Sequence, residues 1–285
     1  YITLFKRDSY NLTKHLKPIL IIFGTSIAAT IYLNIDTTMI GLLKNDREVG
    51  LYTSAIKINK MICTLISSIC TVILPRLSYY IFNKQNDEFV KLCNRAANLI
   101  LIISIPAAFG LYVLSPQIIE LFSGNEFQGA QIISKILAPN LIFSTLNGFI
   151  SYQIFLPMNK ENYALYATIS GALIDCVFNY IFIPQFGALG AASATLFAEF
   201  IVFIFSIFMG RKLFNFKNTF NTVYQYILAS IPIIVIYCYI NQLNYNIFIT
   251  IFVTVIFSIL IYFSLLIIFR NKYVNEIMYK YIKRI

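Results

Sequence analysis

Eight long apolar runs divide this chain, and each is long enough to cross a lipid bilayer as a helix. A membrane helix needs about 20 mostly apolar residues, because the hydrocarbon core is about 30 Å thick. The chain is 59% hydrophobic and only 12% charged, which excludes a water-soluble globule. We therefore expect an all-α, polytopic membrane helix bundle with eight transmembrane helices. The runs cover residues 18–43, 50–75, 96–114, 131–156, 163–183, 187–209, 223–240 and 246–269.

The Lys and Arg residues fall almost entirely into alternate connections between these runs. Seventeen of the 22 lie in the N-terminal arm, the C-terminal tail and the connections at 76–95, 158–162 and 210–222. The opposite connections contain only Lys44 and Arg47. Because cytoplasmic loops carry the excess of basic residues, we expect both ends of the chain in the cytoplasm. The net charge of +10 then indicates orientation and contact with anionic membrane lipids, not nucleic-acid binding.

Small residues dominate the start of the sixth run, GALGAASA at residues 187–194. Small side chains let two membrane helices approach closely. The pattern predicts tight packing of the sixth span against the fifth, which carries Gly171 and Ala172.

Six charged side chains lie inside the predicted spans, where each costs about 2.5–3.5 kcal/mol at mid-bilayer unless it faces a cavity or a partner. They are Asp36, Lys57, Lys60, Lys135, Asp175 and Glu199. At about 1.5 Å per residue, Asp36, Lys57 and Lys60 lie at similar depth on adjacent spans, and the two lysines share one helix face. We interpret these three as a substrate-binding cluster that contacts an anion or gates a cavity. Alternatively, the lysines extend to the membrane surface and Asp36 makes a structural hydrogen bond.

Asp175 and Glu199 are predicted to lie deep in the fifth and sixth spans. They are candidates for ion or proton coupling, or for hydrogen bonds that join helices. Lys135 lies one turn inside the fourth span and is expected to extend to the membrane surface. Asn147, Gln153 and Asn179 are further buried polar groups, placed between helices or along a cavity.

Motifs for catalysis or for a cofactor are absent from the sequence. His15 is the one histidine, and HExxH, GxSxG and Walker-type patterns do not occur. The five cysteines show no metal-ligand spacing. We therefore expect no catalytic residues, no metal site and no cofactor, and a chain with many spans and no catalytic motif is interpreted as a transporter rather than an enzyme.

Several segments, in order, resemble one family of transporters. They are NIDTTMIG at 34–41, VGLYTSAIKI at 49–58, ILPRLS at 73–78, IPQFGALGAA at 183–192 and AEF at 198–200. This ordered set is similar to bacterial polysaccharide flippases, the O-antigen, capsule and teichuronic-type members of the multidrug/oligosaccharidyl-lipid/polysaccharide exporter superfamily. The first segments resemble that family's seventh helix, and the resemblance covers residues 18–210.

The resemblance implies a domain organisation, since the family has two six-helix lobes around a central cavity and some members add two helices. The six-helix C-terminal lobe would be 18–209 and the extra helix pair 223–269, with a cytoplasmic arm at 1–17, a basic cytoplasmic loop at 210–222 and a basic tail at 270–285. The N-terminal lobe would belong to the same, longer protein and is expected as a partner of this chain.

The resemblance also implies a function in the bacterial cytoplasmic membrane. The family moves undecaprenyl-pyrophosphate-linked oligosaccharide across the membrane by alternating access for surface polysaccharide biosynthesis. Lys57 and Lys60 would contact the anionic substrate, with Asp36 tuning them. Polysaccharide polymerase and glycosyltransferases are further expected partners. Two alternatives stay open: a cation-coupled multidrug exporter of the same superfamily, and a membrane polysaccharide polymerase or acyltransferase.

Overall fold

The computed structural model describes residues 34–276, apart from the side chains at positions 217 and 218, and no strand occurs in this range. Helix α1 occupies 34–43 of the described residues. The helices that follow are α2 (Asp46–Phe82), α3 (Asn86–Ser123), α4 (Ala130–Leu137), α5 (Asn140–Phe149), α6 (Glu161–Phe186), α7 (Ala188–Gly210), α8 (Lys217–Phe220), α9 (Val223–Ser230), α10 (Pro232–Gln242) and α11 (Ile247–Ile268). A 3-10 turn covers Asn125–Phe127, and a π-helix, Ile150–Phe155, continues α5.

Six helical segments of the described chain are long and apolar enough to cross a membrane. They are α2, α3, α6, α7, α9 with α10, and α11. α4 and the extended α5 form a seventh candidate that is bent by 45°. The first predicted span, 18–43, lies mostly outside the described residues. The all-helical membrane bundle is thus confirmed, whereas the count of eight spans stays a prediction.

Helix α2 is much longer than the span predicted at 50–75. Its 37 residues begin after the N-cap Asn45, whose side chain accepts a hydrogen bond from the Glu48 amide at 3.0 Å. The helix continues through Pro75 to Phe82. At about 1.5 Å per residue it is about 56 Å long, so it extends well beyond the hydrocarbon core.

The bend between α4 and α5 is hydrogen-bonded to a polar side chain of α2, Asn59. The Asn59 amide on α2 donates to the Leu137 carbonyl at 2.7 Å, and the Asn140 amide donates to the Asn59 carbonyl oxygen at 3.3 Å. Pro139 cannot continue the hydrogen-bond ladder of α4, so a carbonyl near it is freed for such a partner. Asn59 therefore stabilises the break from the neighbouring helix.

Helices α6 and α7 pack as closely as the small residues predict. Gly187 turns the chain between them with φ +57°, a conformation that favours glycine. A Cβ atom at Gly190 would overlap the Phe182 carbonyl, so the backbones touch at this point. Directly after this turn, the Ala188 amide donates a hydrogen bond to the Glu48 carboxylate at 2.7 Å. This bond fixes the start of α7 to α2.

The last helices are joined to α3 by hydrogen bonds as well as by apolar contacts. The Asn98 side-chain oxygen on α3 accepts hydrogen bonds from Thr222 at 2.8 Å and from Tyr226 at 2.9 Å. The Tyr262 hydroxyl on α11 donates to the Ile102 carbonyl at 2.9 Å. The side chains of Asn98, Tyr226 and Tyr262 are all buried. α9 and α11 are thereby held in one position on α3.

The apolar core has two large parts. One part includes Leu77, Phe89 and Phe155 and extends to Tyr226 and Tyr262 of the last helices. The other surrounds the first half of α2 and reaches α7, and it includes Ile40, Tyr52, Ile119, Leu141 and Ala191.

Candidate functional site

The Asp36 carboxylate on α1 is the centre of a polar cluster between four helices. It accepts a hydrogen bond from the Tyr52 phenol at 2.5 Å and another from the Asn179 amide at 2.7 Å. The Thr195 hydroxyl lies 3.3 Å from the carboxylate and 3.1 Å from the Tyr52 oxygen. Hydrogen bonds to an ionised group are about twice as strong as neutral ones. One carboxylate thus joins α1, α2, α6 and α7.

A second carboxyl group, that of Asp175 on α6, interacts electrostatically with Asp36. Asp175 is 6% exposed, and its Oδ1 atom has no hydrogen-bond partner among the residues that the structure describes. Two adjacent carboxyl groups in an apolar interior cannot both keep a negative charge unless a cation lies between them. A proton shared by the pair would also satisfy both groups. The pair can therefore hold one proton or one small cation.

Helix periodicity explains why these side chains meet. Asp175 and Asn179 are four residues apart and share one face of α6. Thr195 lies on the facing side of α7, where its hydroxyl also donates to the Ala191 carbonyl at 2.9 Å. Because α6 and α7 touch at Gly190, both faces reach Asp36 together.

Glu199 extends the acidic region along α7, one turn after Thr195. The Asn147 amide on α5 donates to its carboxylate at 2.5 Å and to its backbone carbonyl at 3.0 Å. Glu199 also interacts electrostatically with Asp36 and Asp175. The structure therefore brings the three predicted acidic residues into one region between helices.

Lys57 and Lys60 do not join this region. Both lysine side chains are exposed, whereas Tyr52, one to two turns earlier on α2, is only 1% exposed. The ion pairs found between residues 34 and 276 join Lys91 to Glu88 and Arg95 to Glu276. The hydrogen-bond partners of Asp36 are therefore hydroxyl and amide groups, whereas the sequence allowed a contact between Asp36 and a lysine.

The two lysines belong to a stripe of exposed polar side chains along α2. The stripe recurs every three or four residues and consists of Lys57, Lys60, Thr64, Ser68 and Thr71. At about 1.5 Å per residue it is about 21 Å long, most of the depth of a bilayer. Ionisable groups inside a membrane face a water-filled cavity or a protein partner and rarely face lipid. We call this surface the polar stripe.

Sequence reasoning missed two members of the polar cluster, Tyr52 and Thr195. Tyr52 lies within the segment VGLYTSAIKI, which was used for the resemblance but not for the site. Thr195 precedes Glu199 by four residues, so helical spacing from a predicted site residue could have identified it. The sequence predicted Asn179 as a buried polar residue, but it did not indicate that Asp36 is its partner.

Most of the chain matches one protein family. The family described as Lipid II flippase MurJ matches residues 3–264. A solved structure named "Lipid II flippase MurJ, inward closed conformation" has a TM-score of 0.77 with this fold at 21% sequence identity. The match covers 94% of this chain and 57% of that one. The fold of the described helices is therefore that of the matched part of this solved structure.

Two relatives that are named for glycan or capsule biosynthesis are similar to half of this chain or more. "Probable low-salt glycan biosynthesis flippase Agl15" of Haloferax volcanii is 23% identical over 251 residues, which is 86% of this chain and 52% of that protein. "Capsular polysaccharide biosynthesis protein CapF" of Staphylococcus aureus is 26% identical over 150 residues, 52% of this chain and 37% of that protein. The chain spans about half the length, or less, of these relatives. The resemblance to polysaccharide flippases is confirmed, and the chain belongs to the lipid II flippase MurJ family.

Proposed function

We propose that this chain is the C-terminal lobe, with an extra helix pair, of a flippase for lipid-linked oligosaccharide. The substrate is an undecaprenyl-pyrophosphate-linked oligosaccharide that moves from the inner to the outer leaflet of the bacterial cytoplasmic membrane by alternating access. The family match and the names of the relatives support the class of transporter. The polar stripe supports the class of substrate.

The polar stripe is the single observation that carries this proposal. Two lysines and three hydroxyl groups lie on one exposed face of a membrane helix, an arrangement suited to a wet cavity. The lysines would contact the two phosphates, because an ammonium group binds phosphate as a point charge. The hydroxyl groups would exchange hydrogen bonds with sugars. The N-terminal lobe of the full-length protein would form the opposite wall of this cavity.

The acidic region supports coupling of this movement to a cation or to protons. Asp36 and Asp175 interact electrostatically, and Glu199 adds a third carboxyl group to the region. Entry of one proton or monovalent cation would lower the negative charge of the pair and strengthen the junction of α1 with α6 and α7. Release would weaken it. The occupancy of the pair would therefore bias the position of α1 relative to the rest of the lobe.

The domain boundaries belong to the same proposal. Residues 18–209 would form the six-helix lobe, 223–269 the extra pair and 210–222 the basic loop between them. The arm at 1–17 and the tail at 270–285 would lie in the cytoplasm, as the distribution of Lys and Arg indicates. Polysaccharide polymerase and glycosyltransferases would use or supply the substrate.

The proposal is tested by replacing both lysines of the stripe, Lys57→Gln with Lys60→Gln, in the full-length protein. The measurement is the amount of lipid-linked oligosaccharide that reaches the outer leaflet, normalised to the protein present in the membrane. We expect a loss of tenfold or more. Lys135→Gln is the matched control, because Lys135 lies inside a membrane helix but outside the stripe. Wild-type export by the double variant would remove these lysines from substrate binding.

A further inference from the structure

A second polar site lies where α3 begins, and it shares no residue with the polar cluster or the polar stripe. It is a cavity of about 600 Å³ enclosed by the start of α3, the residues before α9 and the residues after α11. Its lining includes the side chains of Lys91, Asn94, Arg95, Lys272, Tyr273 and Glu276. We call it the basic cavity. Segments that are far apart in the sequence thus converge on one space.

The basic cavity carries three basic side chains and one carboxylate. Lys91 is 2.8 Å from Glu88, which lies outside the lining, and Arg95 is 3.3 Å from Glu276. These ion pairs are about half exposed, and exposed pairs contribute only about 0–1 kcal/mol. Lys272 makes no ion pair with any described residue. An anion can therefore compete for all three cations at little cost.

The walls of the basic cavity are fixed by hydrogen bonds behind the charged side chains. The Asn94 side-chain oxygen accepts a hydrogen bond from Thr219 at 2.7 Å, which ties α3 to α8. Asn271 donates to the Gln225 side chain at 2.6 Å and accepts from the Tyr273 amide at 3.2 Å. The basic side chains are therefore presented on a framework that does not need to form around a ligand.

The cavity lies at the boundary between hydrocarbon and water. Lys91 and Arg95 immediately precede the apolar run at 96–114, and Lys272 follows the run at 246–269. Phospholipid phosphates lie at this depth, and basic pockets between membrane helices bind anionic headgroups there. Lys91 and Arg95 are four residues apart, so they point to the same side of α3.

Tyr273 adds a neutral donor to the three cations. Burial, together with the nearby Glu276 carboxylate, raises the pKa of the Tyr273 phenol. The hydroxyl group therefore keeps its proton at neutral pH and can donate to an anion. Asn94 offers less, since its amide already donates to the Val90 carbonyl at 3.0 Å.

We propose that the basic cavity binds the phosphate group of an anionic membrane phospholipid, held by Lys91, Arg95 and Lys272. The phosphate would displace Glu276 from Arg95, so the carboxylate acts as a built-in competitor. A bound lipid would join the start of α3 to the segment after α11 and stabilise the position of the last helices. This proposal does not depend on which substrate the flippase carries.

The test measures lipid binding to the full-length protein after removal of native lipid. Phosphatidylglycerol, phosphatidylcholine or soluble glycerol phosphate is added, and bound molecules are counted by native mass spectrometry. We expect the wild type to retain phosphatidylglycerol at least fivefold better than phosphatidylcholine. Arg95→Gln with Lys272→Gln should abolish this preference, and Glu276→Gln should increase phosphatidylglycerol binding. Lys212→Gln is the control, because Lys212 is an exposed lysine of the basic loop outside the cavity.

The outcomes separate the sources of the phosphate. Selective retention of phosphatidylglycerol, with no competition by millimolar glycerol phosphate, supports a lipid headgroup. Competition by glycerol phosphate at micromolar concentration would replace the lipid with a soluble phosphate ester. Equal binding of both lipids, or the same selectivity in the double variant and in Lys212→Gln, would overturn the proposal. Glu276→Gln guards against misfolding as an explanation, since a gain of binding requires a folded protein.

Discussion

The Tyr52 phenol on α2 donates a hydrogen bond of 2.5 Å to the Asp36 carboxylate on α1. Tyr52 is only 1% exposed, so its hydroxyl has no water to replace this partner. The same carboxylate is held by Asn179 and approached by Thr195. A few polar contacts at one point thus help to fix the position of α1 on α2, α6 and α7.

Removal of the Tyr52 hydroxyl should loosen this junction. In Tyr52→Phe the Asp36 carboxylate loses its shortest hydrogen bond, and we expect a loss of about 1–3 kcal/mol of stability. The measurement is the midpoint of thermal unfolding of the purified full-length protein. Tyr180→Phe is the control, because Tyr180 is 70% exposed on α6. An unchanged midpoint in Tyr52→Phe would mean that the remaining contacts of α1, including those of Asn179 and Thr195 with Asp36, are sufficient to hold it.

Neutralisation of Asp175 should remove the response of the acidic pair to cations. In the wild type, acid or a monovalent cation relieves the repulsion between Asp36 and Asp175, so the unfolding midpoint should rise with either. Asp175→Asn keeps a hydrogen-bonding side chain and removes one charge. We expect its midpoint to vary much less with pH and with Na⁺ or K⁺ concentration. Equal responses in both proteins would place the coupling ion elsewhere.

A side chain at Gly190 should separate α6 from α7. The Phe182 carbonyl occupies the space that a Cβ atom needs, and it is backbone that cannot turn aside. We expect Gly190→Ala to cost about 1–3 kcal/mol and to weaken transport, because Asn179 and Thr195 would no longer reach Asp36 together. Yield of folded protein and unfolding midpoint are the measurements. Gly110→Ala is the control, since its Cβ atom would meet nothing within 4 Å.

The predicted orientation can be tested with single cysteines. Lys212→Cys in the basic loop should be protected from an impermeant thiol reagent that is applied outside intact cells, and Glu126→Cys should react. Both native side chains are exposed. Cys238 is also exposed and is first replaced by Ser in the background protein. Labelling of Lys212→Cys from outside would reverse the assignment of the two membrane faces.

The positions of the membrane helices could be predicted from the sequence because hydrophobic length leaves few alternatives. The hydrogen-bond partners of Asp36 could not be predicted from the sequence. Depth in the membrane follows from residue number, but direction around a helix axis follows from packing. Lys57 is five residues after Tyr52, about 140° around α2, so at similar depth one side chain faces the protein and the other faces out. The hydrogen-bond partners of Asp36 therefore depend on helix packing, and the role of Lys57 and Lys60 in substrate binding stays a prediction.

Three other features are indicated by the sequence only in part or not at all. Pro139 predicts an interruption near the middle of the fourth span, but the 45° bend depends on Asn59 from another helix. The π-helix at Ile150–Phe155 has no local sequence pattern that distinguishes it from an α-helix. The interaction of Asp36 with Asp175 joins residues 139 positions apart, and nothing in the composition near either residue indicates it.

The buried Asn98 side chain has a consequence for how such proteins gain and lose helices. Its oxygen is satisfied only by Thr222 and Tyr226 within the described chain, and both belong to the segment that begins the last helices. A shortened protein that ended before these residues would leave that oxygen without these partners, at a cost of about 1–3 kcal/mol. The final helices are therefore not a removable appendage: their deletion during evolution, or by an engineer, would have to be accompanied by an apolar replacement of Asn98.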